Sequence, residues 1–119
     1  MIGYAWLYAI HIRSCIERKK FWQAELMLSG MRERILAIAC VRHGLSTKEG
    51  RGFDQLPSDV LEPLRGSYIK SLDAASLWPA FRCATQGLIR EMQLFDPALA
   101  ERIEPALLEM SDQGTSGRK

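Results

Sequence analysis

"FWQAELMLSGMRERILAIACVR", Phe21 to Arg42, decides the fold. It runs more than twenty residues without a proline, and its one glycine, Gly30, costs a helix interior about 1 kcal/mol relative to alanine. At 100° per residue Ala24, Met27, Leu28, Met31, Ile35, Ile38 and Ala39 gather on one wide apolar arc. The remaining sides are also fairly apolar, which is the pattern of a helix central in its bundle. Glu25, Ser29, Arg32 and His43 fall on a narrower polar stripe, interrupted by Leu36.

Working outward, the charged turn "RKK" at Arg18 to Lys20 separates this helix from an earlier one over Gly3 to Arg18. Its apolar residues Trp6, Ala9, Ile10 and Ile16, with Leu7 and Tyr8 on a neighbouring stripe, suggest a broad buried face. Downstream, Gly44 sits where a helix C-terminus wants positive φ, with Arg42 and His43 favourably placed in the last turn. Phe53 and Leu56 are suited to pin the following loop to the core. In "PSDVLEPLRGSYIKSL" the proline suggests a short helix starting at Pro63 and ending near Leu72. Asp73 or Ser76 caps the next helix, whose stripe is Leu77, Phe81, Ala84, Leu88, Met92 and Phe95. Asp96 and Pro97 open the last, which carries Leu99, Ile103, Leu107 and Met110 and has Pro105 as a point of bending.

The 119 residues are one domain by length, and 47% hydrophobic with 25% charged residues is ordinary for a soluble globular protein. A net charge of +2 gives no nucleic-acid footprint. Cys15, Cys40 and Cys83 are odd in number and lack CxxC spacing, so a reduced, cytoplasmic setting fits and a disulfide framework does not. The run "MIGYAWLYAIHI" has no basic leader and is shorter than the roughly 20 apolar residues a membrane span needs. It enters a helical pattern at once, which suggests a piece of a longer protein or a subunit that docks early.

The polar candidates divide by geometry. "RHGLSTKEGRGFDQLP", Arg42 to Pro57, lacks the GxxxxGK spacing and the preceding strand of a phosphate loop. Its "GRGFD" part is a structural loop, or a ligand-facing one in which Arg51 meets phosphate or a carboxylate. His11 with Cys15 and Cys40 with His43 are zinc-ligand types, but in a hairpin turning near Lys19 the two pairs miss each other by roughly 18 Å. His11 reads as a core or boundary side chain, and Trp6, Trp22 and Trp78 as core. On the central helix Glu25 and Arg32 are about 10 Å apart along the axis, within reach of one ligand, whereas His43 lies some 16 Å beyond Arg32. The stripe is either a solvated face or one wall of a ligand groove, with Glu25 as base or hydrogen-bond acceptor.

The segment "WQAELMLSGMRERILAIACVRHGLSTKEGRGFDQLP", Trp22 to Pro57, with "GYAWLYAIHIRSCIERKKFWQAE" before it and "SLDAASLWPAFRCAT" after it, resembles the helical domain of bacterial polymerase-β-like nucleotidyltransferases of the aminoglycoside-modifying type. The resemblance implies a helical bundle that closes a cleft and binds a small-molecule acceptor. Mg²⁺ and the nucleoside triphosphate are then expected on a preceding catalytic domain, and no cofactor on this chain. The Gly-Ser loop and DxD carboxylates of that domain are absent here, so the chain alone is not expected to turn over. The resemblance places the general base at Glu25 and acceptor contacts at Arg32, His43, Arg51 and Asp54. Related bundles of the HEPN family include RNases that use Arg, four to six residues, then His. Leu36, Ala37 and Ile38 occupy the positions where His43 would need that arginine.

The expected fold is all-α, an up-and-down antiparallel bundle of four main helices plus a short helix over residues 1–110, with a disordered tail over 111–119. The expected function is that of an accessory, acceptor-binding domain separated from its catalytic half. The alternative is a non-catalytic interaction or dimerisation module. The partner set is a catalytic domain, in cis or as a separate subunit, and a small-molecule acceptor, with a homodimer also open and neither membrane nor nucleic acid expected.

Overall fold

The computed structural model describes residues 2–112, with side chains described from residue 7 onward. Among the described residues there is no strand and there are five α-helices: α1 (Ile2–Glu17), α2 (Phe21–Arg42), α3 (Ser58–Leu64), α4 (Ala74–Phe95) and α5 (Pro97–Met110). Short 3₁₀ turns lie at Lys48–Gly50, Phe53–Gln55 and Arg65–Ser67. The expected disordered tail lies, from 113 on, outside the described residues, as does the side chain of Trp6.

Helix ends follow local chemistry. At the end of α1 the Lys20 N–H reaches the Cys15 carbonyl at 2.8 Å, and Lys19 between them takes φ 62°. At the end of α2 the Leu45 N–H reaches the Cys40 carbonyl at 2.8 Å across Gly44, φ 69°. Both are Schellman closures, which need a left-handed residue; glycine adopts that conformation freely and lysine with strain. Asp73 caps α4 by accepting from the Ser76 N–H at 2.9 Å, and Asp96 caps α5 by accepting from Leu99 N–H at 3.2 Å, with Pro97 at the first helical position.

α3 departs from the expectation of a helix over 63–72. It spans Ser58–Leu64, so Pro63 stands near its end and not at its start. In a helix of seven residues a late proline forfeits little backbone bonding, and Pro57 supplies an extended entry, φ −65° and ψ 157°. The 3₁₀ turn at Arg65–Ser67 then takes the chain away from the helical path.

The core is shared by all the long helices: Ala9, Ile12 and Ile16 from α1, Leu28, Met31, Ile35 and Ala39 from α2, Leu77, Phe81, Leu88 and Met92 from α4, and Leu107 from α5. α2 packs against α1 and α4, and α4 against α1, α3 and α5. Gly30 earns its helix-interior position at the α1 contact, since a Cβ there would stand 2.6 Å from the Tyr8 ring. Leu56 is buried and Phe53 packs on the core, so the loop after α2 is pinned as expected.

Several apolar side chains expected inside are outside. Leu7, Ile10, Trp22 and Phe95 are all exposed, and so is His11. In α1 the buried line is Ala9, Ile12 and Ile16, at helical steps of three and four, and Ile10 and His11 stand 100° or more away from it. Phe95 is the last residue of α4, where the chain turns into α5.

Candidate functional site

The stripe on α2 becomes a connected polar line. Ser29 lies one turn after Glu25 and its hydroxyl donates to Glu25 Oε2 at 2.9 Å. Arg32 lies one turn further, and its Nη1 reaches Ser29 Oγ at 3.5 Å, the longest link in the line. Because arginine only donates, Ser29 accepts from it and is left to donate to the carboxylate. Glu25 Oε1 is shielded from solvent and has no hydrogen-bond partner among the described residues. Leaving a buried acceptor unpaired costs about 1–3 kcal/mol.

Arg32 is only 6% exposed, yet among the described residues no carboxylate bonds to it directly. Its Nε donates to Ser67 Oγ at 2.9 Å and its Nη2 to the Ser67 carbonyl at 2.8 Å. Ser67 Oγ in turn donates to the Leu64 carbonyl at 2.6 Å. The guanidinium carbon stands 3.8 Å from the centre of the Tyr68 ring, a cation–π contact. The 3₁₀ turn after α3 is thereby fastened to the middle of α2.

Tyr68 also lines a groove of about 500 Å³. Glu33, Glu49 and Asp54 supply carboxylates to its wall, and Leu36, Phe53 and Leu61 supply apolar surface. At 1.5 Å per residue Glu33 lies about 12 Å along α2 from Glu25. One of the groove's carboxylates, Glu49, is already paired with Arg51.

No family model, curated protein or solved structure matches the chain. The site is therefore read from its own geometry. Among the described residues no group of three or more His, Cys, Asp or Glu side chains is placed to hold a metal ion.

Of the residues singled out in the sequence, Glu25 and Arg32 are brought together through Ser29, whereas Asp54 lines the neighbouring groove at Tyr68, which neither Glu25 nor Arg32 lines. His43 and Arg51 are not part of this assembly. His43 is exposed at the end of α2, where its backbone N–H closes on the Ala39 and Cys40 carbonyls. Arg51 is exposed and pairs with Glu49 at 3.0 Å. Ser67 and Tyr68 were not anticipated; they lie 35 and 36 positions after Arg32, and no local pattern links them to it.

A second arginine on α2 makes a different kind of contact. Arg42 forms a two-pronged pair with Glu91 of α4, Nε to Oε1 at 3.2 Å and Nη2 to Oε2 at 2.8 Å. Hydrogen bonding to the Glu91 carboxylate holds the Arg42 guanidinium above its ordinary range, against the opposing effect of burial. Burial pushes the Cys40 and Cys83 thiols up, away from thiolate chemistry.

Proposed function

We propose that this chain is the acceptor-binding helical domain of a nucleotidyltransferase, built as an up-and-down antiparallel bundle in which α2 presents the acceptor site. The observation that carries the reading is the Glu25 carboxylate, oriented by Ser29 through one oxygen and left with the other unpaired. In this reading the acceptor lies along α2, its amines toward Glu33 and Asp54 and one hydroxyl at Glu25. Glu25 takes the proton of that hydroxyl as its oxygen attacks the α-phosphorus, and pyrophosphate leaves. Arg32 is a positioning residue that fixes the direction of the Ser29 hydrogen bond. The nucleoside triphosphate and Mg²⁺ belong to the catalytic domain, in cis or as a separate subunit. No described helix is long and apolar enough to cross a membrane, and the three free thiols support a reducing, cytoplasmic setting.

The test is reconstitution. A strand-rich domain with a Gly-Ser loop and DxD carboxylates, encoded upstream or in the neighbouring gene, is expected to form an active transferase with this chain. Glu25→Gln, which keeps the shape, should abolish transfer while the chain keeps its helicity. Absence of such a domain, or full turnover by Glu25→Gln, contradicts the reading.

One observation favours an interaction or dimerisation module instead. Trp22 and Leu26, one turn apart on α2, are 84% and 66% exposed. An indole so fully in water at the start of α2 has no role in the core, and it is α4, packed against the four other helices, that is central in the bundle and not α2 as the sequence suggests.

A further inference from the structure

We infer that the cavity where α2, α3 and α4 meet binds a free amino acid with an aliphatic side chain. This inference does not depend on the acceptor reading, since the residues of this cavity belong neither to the Glu25–Arg32 stripe nor to the groove at Tyr68. The cavity measures about 280 Å³. Its apolar surface comes from Ile35 of α2, Val60 and Leu64 of α3 and Leu94 of α4. Ile35 and Leu64 are buried parts of the core. Gly87 of α4 packs so closely on Leu64 that a Cβ on the glycine would stand 2.6 Å from Leu64 Cδ2. The floor is therefore shaped by the packing of the helices and needs no ligand to form it. Small-molecule sites are mostly of this kind, apolar and pre-formed with a few placed polar groups, and since roughly 300–1,000 Å³ holds a drug-sized ligand, this cavity suits a smaller molecule.

The charges around the cavity select the ligand. Arg42, Asp59, Arg90 and Glu91 line it, and together they carry no net charge. Arg42 and Glu91 are already matched to each other by their two-pronged pair. Arg90 and Asp59 enter none of the ion pairs among the described residues. They stand on different walls, α4 and α3, and both are exposed. The Arg90 guanidinium lies back along α4, its Nη2 3.6 Å from where a Cβ on Gly87 would stand. Asp59 lies near enough to Arg42 to help keep that guanidinium charged. The cavity thus offers one unmatched cation and one unmatched anion beside an apolar floor. A zwitterion with an aliphatic side chain answers all three: its carboxylate meets the planar fork of Arg90, its ammonium meets Asp59, and its side chain covers Val60 and Leu64. A simple carboxylic acid would face the like charge of Asp59, and a simple amine that of Arg90, so each is selected against.

The experiment is titration of the isotope-labelled whole chain with L-leucine, followed by the chemical shifts of its backbone amides. Saturable shifts are expected at Ile35, Val60, Leu64 and Gly87, with a Kd of about 1 mM or below for a ligand of this size. Isocaproate, which lacks the ammonium, and isopentylamine, which lacks the carboxylate, should each bind at least about tenfold more weakly than leucine. Arg90→Gln should weaken leucine at least about tenfold and leave isopentylamine binding no weaker. Asp59→Asn should remove the advantage of leucine over isocaproate. Both side chains are exposed, so both variants are expected to keep the helicity of the wild type. Absence of saturable shifts at those amides, equal binding of leucine and its two single-charge analogues, or unchanged leucine affinity in either variant overturns the inference.

Discussion

Arg32 and Arg42 lie on the same helix and are satisfied in opposite ways. Arg42 meets Glu91 across two matched hydrogen bonds, and its charge is cancelled by a carboxylate that is itself buried. Arg32 is buried, whereas Arg42 is exposed, and Arg32 is held by neutral groups: a serine hydroxyl, a backbone carbonyl and the face of Tyr68. The pair at Arg42 is complete and serves as a clamp between α2 and α4. The network at Arg32 is incomplete, since its nearest bonded carboxylate is reached only through Ser29 and ends on an unpaired oxygen. The Arg42 pair ties α2 to α4, whereas Arg32 ties α2 to the turn after α3 and reaches a carboxylate only through Ser29.

The comparison can be broken by substitution, beginning with the largest effect. Arg32→Ala removes two short charge-assisted hydrogen bonds and a cation–π contact, and strands the Ser67 carbonyl. The expected loss is about 3–4 kcal/mol in urea unfolding, and Arg32→Lys should recover less than half because a lysine lacks the planar fork. A loss below about 1 kcal/mol would mean that the 3₁₀ turn is not fastened by Arg32.

Arg42→Ala should cost about 2–3 kcal/mol, because it leaves the Glu91 carboxylate buried without a partner. Glu91→Ala should cost less, about 1–2 kcal/mol, because the Arg42 side chain is 34% exposed and can turn to water. Equal losses in the two single variants would show that the carboxylate end is no more dependent on its partner than the guanidinium end.

Much of the fold follows from short-range signals. The bounds of α2 are set by the charged turn before Phe21 and by Gly44 after Arg42, and those of α4 and α5 by the Asp73 and Asp96 caps. Each of these is decided within a few residues of the boundary. α3 was misplaced because Pro63 reads equally as the start of one helix or the late residue of another, and only the packing of Leu64 in the core resolves it. The candidate site was open to sequence reasoning only in part. Helical spacing puts Glu25, Ser29 and Arg32 on one line, whereas the partners that complete it, Ser67 and Tyr68, come from a distant turn. The exposure of Trp22 was likewise hidden, since its face of α2 is indistinguishable by spacing from a buried one.

The smallest change sharpens the same contrast. Tyr68→Leu keeps apolar cover over Arg32 but removes the ring quadrupole. Since Tyr68 is mostly exposed, the expected loss is about 0.5–1 kcal/mol in thermal unfolding, with no effect in an Arg32→Met background. An equal loss in that background would assign the effect to Tyr68 packing and not to the guanidinium.

The most direct measurement is calorimetric titration of the chain with an aminocyclitol that carries several amines and hydroxyls. If α2 presents an acceptor site, wild type gives saturable binding, and Glu25→Gln, folded with the same helicity, binds at least about tenfold more weakly, a difference of about 1.4 kcal/mol. No saturable heat from the folded wild-type chain, or equal affinity in Glu25→Gln, would contradict it.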